Sequence, residues 1–355
     1  MQFLFKERSS MFYSCSLRFR VSLLTLLSVF SFSSIAQEKV LNLYSARHYQ
    51  TDEALYANFT KTTGIKVNRI ELGDEPLLER LRAEGSKSPA DVILLVDAAR
   101  LWKAQTEGLF SPVQSKILTE RIPAELRASD NSWFGFSSRA RVIVYNKATI
   151  KPEDTDTYEK LADPKNKGKV CTRSGSHPYN LSLFGAMLER AGEAKTEAWL
   201  KGLVENQARS PKGGDTDQIR AVASGECSIA LTNSYYWVRL LKSSKPEDRE
   251  VVSKVGVIMP NQSGYGTHMN LSGGAVARYA PNREAAVQFL EYLASDEAQG
   301  YFANGNNEWP VIKVAAQRNP ELESLGNFKQ DRLSAAVIGS RSAQAQKLLD
   351  KVGFK

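Results

Sequence analysis

The stretch VLNLYSARHYQTDEALYANFTKTTGIKVNRIEL, residues 40–72, decides the fold. Val40–Ser45 reads as a short apolar strand, Asp52–Thr63 as an amphipathic helix and Ile65–Leu72 as a second strand. Strand, helix and strand in close succession is the α/β signature. The alternation continues outward through a helix at Glu75–Glu84, a buried-type strand at Asp91–Val96, a helix at Ala98–Glu107 and a long strand at Phe134–Tyr145. A second set opens at Gly168 with strand Lys169–Thr172, helices Leu181–Arg190, Thr196–Glu205 and Asp217–Ser224, and strand Cys227–Leu231. Strand Val255–Ile258, the glycine-rich turn Gly264–Gly266, strand Leu271–Ala277 and helix Arg283–Ser295 follow, and no internal repeat is visible. Two α/β lobes are implied, with a boundary near Ser137–Arg141 and a return crossing near Thr267–Asn270.

Towards the N-terminus lies VSLLTLLSVFSFSS (21–34), preceded by Lys6, Arg8, Arg18 and Arg20 and followed by Ser34-Ile35-Ala36. A basic region, an apolar run and a small-x-small end read as a secretory signal (residues 1–36) cleaved after Ala36, with Met11 as an alternative start. A membrane span needs about 20 apolar residues, and this run is shorter and carries serines. The expected location is therefore the periplasm, an oxidising compartment. Cys171 and Cys227 are the cysteines beyond the signal and are expected to pair, the alternative being two buried thiols.

With 355 residues, 42% of them hydrophobic and 24% charged, the chain suits two globular lobes and excludes disordered, collagen-like and coiled-coil classes. Its formal charge of +8 falls to +5 once the signal's four basic and one acidic residues are removed. No run of five or six like charges follows Ala36, so nucleic acid is not an expected partner.

Three short segments carry the candidate chemistry: YSARHYQTD (44–52), RSGSHPYN (173–180) and NSYYWVR (233–239). Each falls where a strand gives way to a helix, and in open α/β sheets such loops line the crevice. A phenol with a pKa near 10 is a poor ligand for most divalent ions, but a small trivalent cation carries enough charge to deprotonate it. Hard Fe(III) prefers oxygen anions, whereas zinc sites show HExxH or paired CxxC spacing, which this sequence lacks. Tyrosines that stack on or hydrogen-bond an organic or oxyanion solute are the alternative reading.

The segments GDTDQIRAVASGECSIALTNSYY (214–236) and GAVARYAPNREAAVQFLEYLASDEAQGYFA (274–303) resemble signature stretches of extracytoplasmic solute-binding proteins that serve ABC importers. The likeness runs over essentially the whole mature chain. Asp217 reads as the cap of a helix with Ile219, Val222 and Ala223 on its apolar face and Gly225 at its end. The doublet Tyr235-Tyr236, joined to Tyr179 and to His48-Tyr49, resembles the constellation of the periplasmic ferric-ion-binding protein family, above all its tyrosine-rich cyanobacterial subgroup.

That resemblance implies a type II periplasmic-binding-protein fold, with each lobe a mixed sheet flanked by helices, hinged about two crossing strands. It divides the chain into an N-terminal lobe of 37–138 plus about 268–312 and a C-terminal lobe of 139–267 plus about 313–355. It also implies Fe(III) capture in the cleft by Tyr49, Tyr179, Tyr235 and Tyr236, and delivery to an inner-membrane ABC importer permease by a monomer that is not an enzyme. His48 either ligates or hydrogen-bonds at the cleft edge while Tyr49 alone reaches the metal. Fe(II) and a synergistic anion such as carbonate are further candidates. Other branches of the family add a carboxylate from the first lobe; Glu75 and Asp97 are the candidates of that type, and both also fit as ordinary helix-end residues. His177 and His268 read as structural or solvent-facing.

Four phenolates around Fe(III) total −1, and an unpaired buried charge is costly, so arginines are expected nearby. Arg239 follows the doublet by three and four residues, which on a helix stacks it on both rings. Arg139 and Arg141 share one face of the boundary strand, and Arg173 opens the Tyr179 loop. Arg239 and Arg139 are the expected charge partners, Arg239 moving inward when iron is reduced. An exported enzyme on the same fold is the reading from another class; it needs a nucleophile with a base or paired carboxylates, and no GxSxG or HExxH occurs.

Overall fold

The computed structural model describes residues 39–47, 49–312 and 319–355; the signal segment and His48 lie outside them. Strands β1 (Val40–Ser45) and β2 (Lys66–Glu71) pair in parallel with α1 (Asp52–Thr63) as their crossover. Gly64 ends α1 at φ 71°, a left-handed conformation that costs glycine little. The first lobe continues through α2 (Asp74–Glu84), β3 (Val92–Leu95), α3 (Ala98–Thr106), β4 (Phe110–Ser111), α4 (Lys116–Arg121) and the start of β5 (Phe134–Asn146). The second is built from β6 (Val170–Cys171), α5 (Pro178–Ala191), α6 (Glu193–Glu205), α7 (Asp215–Ser224), β7 (Ile229–Asn233), α8 (Ser234–Lys242), α9 (Pro246–Lys254) and β8 (Val255–Ile258). The chain then crosses back along β9 (Met269–Ala277) and adds α10 (Arg283–Leu293), α11 (Asp296–Asn306), β10 (Trp309–Pro310), α12 (Pro320–Glu323) and α13 (Ala335–Val352).

The strand order is β2-β1-β3-β9-β5-β7-β6, and β5 belongs to both halves of it. From Phe134 to Ala140 it pairs antiparallel with β9; from Arg141 onward it pairs with β7, and from Ile143 with β8. The change of partner falls between Ala140 and Arg141. Strand alternation sends neighbouring residues to opposite cores. Ile143 packs with Phe184, Trp199 and Leu200, whereas Val142 and Val144 pack with Ile219, Trp237 and Leu240. The first lobe likewise has one core around Phe59 and Phe289 and another around Ile93, Leu101 and Trp133. At Gly273 a Cβ would come within 2.6 Å of the Phe134 carbonyl, so the absence of a side chain permits the β5–β9 approach.

The C-terminal helix α13 packs on α3 of the first lobe and on α5 and α6 of the second. Two glycines make these contacts close: Gly339 lies directly against the Trp102 side chain of α3, and Gly185 of α5 against the Ile338 carbonyl. Cys171 and Cys227 form the expected disulfide, with Cα atoms 5.9 Å apart.

Several boundaries differ from the sequence reading. Helix α7 starts at Asp215, and Gly214 occupies the cap position assigned to Asp217. Asp217 instead reaches back from the first turn to accept from the Gly214 N–H at 2.7 Å. The earlier start follows from Asp215, which is buried and bonded to Arg141 rather than left in a loop. Helix α5 starts at Pro178, whose fixed φ and missing N–H suit the first helical position.

Candidate metal centre

Tyr179 is the second residue of α5, and Tyr235 and Tyr236 are the second and third of α8. All three stand in first turns, where unpaired backbone N–H groups and the helix dipole favour negative charge. Tyr49 comes from the loop between β1 and α1, in the other lobe. The four residues meet. The Tyr179 and Tyr235 hydroxyls are 3.1 Å apart. The Tyr49 ring meets that of Tyr235 edge-on at 6.2 Å, and the Tyr235 and Tyr236 rings are 4.2 Å apart at a 31° tilt. Tyr179 and Tyr235 are buried, while Tyr49 and Tyr236 are half-buried.

Burial pushes the Tyr235, Tyr179 and Tyr49 phenols well above their ordinary value of 10. Mutual proximity adds to this for Tyr179 and Tyr235, and Glu308 adds to it for Tyr49, whereas Arg139 favours the ionised form of all three. These three phenols are therefore held neutral, and a trivalent cation could ionise them. Among the described residues no group of three His, Cys, Asp or Glu is placed to hold a metal ion; phenolate oxygen is a hard donor of the kind Fe(III) prefers.

Arginines flank the rings on several sides. Arg139 is fully buried, with its guanidinium carbon 5.5 Å from the Tyr179 ring centre, one nitrogen donating to Ser272 Oγ at 2.8 Å and the same nitrogen 3.7 Å from Glu308. Among the described residues its Nε and Nη2 have no hydrogen-bond partner. Arg173 lies 5.0 Å from the same ring centre. Arg239 is exposed and lies 5.3 Å from the Tyr236 ring centre and 5.9 Å from that of Tyr235, the stacking its spacing predicts. Arg141 turns away to Asp215, Asn180 and Asn233.

Sequence reasoning missed the rest of this ionic layer. Arg47 stands 5.0 Å from the Tyr49 ring centre, pairs with Asp52 at 2.8 Å and approaches Glu308 at 3.6 Å. Glu308 is wholly buried and accepts from Ser137 Oγ at 2.7 Å. Arg47 and Asp52 lie five residues apart inside the 44–52 segment, a spacing that could have flagged them. Glu308 precedes Trp309 in no recognisable motif.

The remaining candidates are engaged elsewhere. Glu75 pairs with Arg100 and Lys103, each at 2.6 Å. Asp97 caps α3 through the Ala99 N–H and accepts from Asn270, and burial pushes its carboxyl up to about 6. His177 caps α5, accepting from the Tyr179 N–H at 3.3 Å; burial and nearby arginines, Arg173 first, push it down to about 2. His268 is buried against the Ser182 hydroxyl at 3.1 Å, and burial pushes it down to about 3.

The family described as bacterial extracellular solute-binding protein matches residues 54–330. Iron uptake protein A1 of Synechocystis sp. is 51% identical over 319 residues, which span 90% of this chain and 88% of that protein. The Trichodesmium protein IdiA (FutA), solved in complex with iron and citrate ligands, aligns with a TM-score of 0.84 and 52% identity over 89% of this chain and 100% of that one. The major ferric iron-binding protein of Neisseria meningitidis is 27% identical over 321 residues, 89% of this chain and 93% of that protein.

Proposed function

Since this chain belongs to the bacterial extracellular solute-binding protein family, we propose that it is a binding protein which captures Fe(III) between its lobes and presents it to an ABC importer permease. Tyr49, Tyr179, Tyr235 and Tyr236 supply phenolate oxygens, and His48 completes or borders the set. The convergence of tyrosines from both lobes carries the reading, above all the Tyr179–Tyr235 contact of 3.1 Å with Tyr49 edge-on to Tyr235. An organic solute would need room between these rings, and the rings already touch.

In this reading, closure of the two lobes completes the coordination and the arginine layer offsets the phenolate charge. Arg139 and Arg47 do so from inside the fold and Arg239 from the surface. Fe(II) and a companion anion such as carbonate are further candidates for the same place; Arg139, two of whose nitrogens have no partner among the described residues, is the donor such an anion would meet. The lobes proposed are 37–138 with about 268–312 and 139–267 with about 313–355, working as a periplasmic monomer. Elemental analysis of purified mature protein after exposure to a weak ferric chelate, with a visible spectrum, tests the proposal. Stoichiometric iron and a phenolate-to-iron absorption band are expected; colourless, iron-free protein would overturn it.

A further inference from the structure

Behind the tyrosines of the second lobe lies a buried polar hub that the iron site does not use directly. Arg141 stands at the point where β5 passes from one lobe to the other, and its guanidinium is only 2% exposed. One fork nitrogen donates to Asp215 Oδ2 at 2.7 Å and to Asn233 Oδ1 at 3.0 Å. The other donates to Asn180 Oδ1 at 2.7 Å. Asp215 also accepts from the Asn233 N–H at 2.7 Å and from Arg173 at 3.2 Å. Asn180 adjoins Tyr179, and Asn233 stands two residues before Tyr235. One guanidinium thus ties together the starts of α5, α7 and α8, two of which carry the candidate iron ligands.

We propose that Asp215, acting through the fork of Arg141, is a positioning residue that sets the spacing between Tyr179 and Tyr235; the inference rests on the iron-binding reading above. The geometry needs an arginine. Its planar fork addresses Asp215, Asn233 and Asn180 from two nitrogens at once, whereas a lysine ammonium is a point charge that can satisfy the aspartate without spanning both asparagines. Asp215 in turn fixes the fork, itself buried among donors from Arg141, Arg173 and the Asn233 N–H. The neighbouring Ser234 Oγ accepts from the Ala140 N–H at 3.2 Å, so α8 is also held to the same strand at the residue beside Arg141.

The test compares Asp215→Asn and Arg141→Lys with Trp199→Phe, which disturbs the core of the same lobe by deleting the Trp199–Tyr158 carbonyl bond. Fe(III) affinity is measured by competition with a ferric chelator, alongside the absorption band and the apo melting temperature. Loss of partners that orient metal ligands typically weakens affinity about 10–100-fold. Asp215→Asn and Arg141→Lys should both show that loss together with a shifted band, whereas Trp199→Phe lowers the melting temperature and leaves the band in place. Wild-type affinity and band in Arg141→Lys would overturn the positioning role while leaving iron binding intact. Should wild-type protein take up no iron, the functional reading falls instead, and crystals of apo Arg141→Lys decide the geometry: an unchanged spacing of the two hydroxyls rejects the proposal. If Asp215→Asn does not fold, Arg141→Lys, which retains the charge, carries the test.

Discussion

The hydroxyl of Tyr179 lies 3.1 Å from that of Tyr235, so two phenols from different helices of one lobe already face a single point. At neutral pH both are protonated, because burial and the neighbouring phenols hold their pKa values well above 10. A metal bound there must displace those protons. Iron uptake should therefore release up to about four protons per Fe(III), one for each ligating tyrosine, and affinity should rise with pH and fall on acidification. Proton release in weakly buffered solution, followed with an indicator dye, reads this directly. Uptake without release would mean that the phenols are not ligands.

Replacing Tyr235 or Tyr236 with Phe keeps the ring and deletes the oxygen. Fe(III) affinity should fall by orders of magnitude in each case. Apo stability should fall by about 1 kcal/mol for Tyr235→Phe, which loses the bond to Tyr179, and by no more than about 0.5 kcal/mol for half-buried Tyr236→Phe. Chelator competition and denaturant unfolding separate the two effects; a collapse of apo stability in Tyr236→Phe would mark the doublet as core.

Glu308 serves two buried arginines at once, at 3.6 and 3.7 Å. Removing one partner of a buried ionic set typically costs about 3–5 kcal/mol, because the remaining charges stay buried and uncompensated. Glu308→Ala should therefore destabilise the protein by that amount, and adding Arg139→Met should recover part of it. Urea midpoints of the single and double variants check the coupling, and additive losses would contradict it.

The Cys171–Cys227 disulfide closes a loop with a sequence separation of 56. Chain-entropy arguments put its contribution at roughly 4 kcal/mol, acting mainly on the unfolded chain. Replacing both cysteines with Ala should lower the denaturation midpoint accordingly yet leave iron affinity unchanged. A parallel loss of affinity would show that the bridge shapes the site.

The fold is legible in the sequence because its signals are local. Strand β1, helix α1 and strand β2 are bounded by their own residues, and Arg141 marks where β5 changes partner from β9 to β7 within the longest strand. The tyrosines stand out because each lies where a strand gives way to a helix. Of their charge partners, the helical repeat reveals Arg239 above Tyr235 and Tyr236, and a place on the boundary strand or in the Tyr179 loop reveals Arg139 and Arg173. Glu308 and Arg139 meet across a sequence separation of 169 residues, and no periodicity encodes such a contact. Asp215 escapes a local reading for a related reason: propensity places the cap on Asp217, but the tertiary bond to Arg141 draws the preceding turn into the helix.

Helix α13 adds a mechanical consequence to the two connecting strands. Rotation of the lobes about β5 and β9 would pull α3 and α5 in different directions, while α13 is seated on both through the contacts at Gly339 and Gly185. A rigid rod clamped at two points cannot follow both, so opening must break one seat or slide along it. Any such opening would then involve this helix as well as the two connecting strands. Under the proposed function, a permease reading the outer surfaces could then distinguish a loaded receptor from an empty one by the seating of α13.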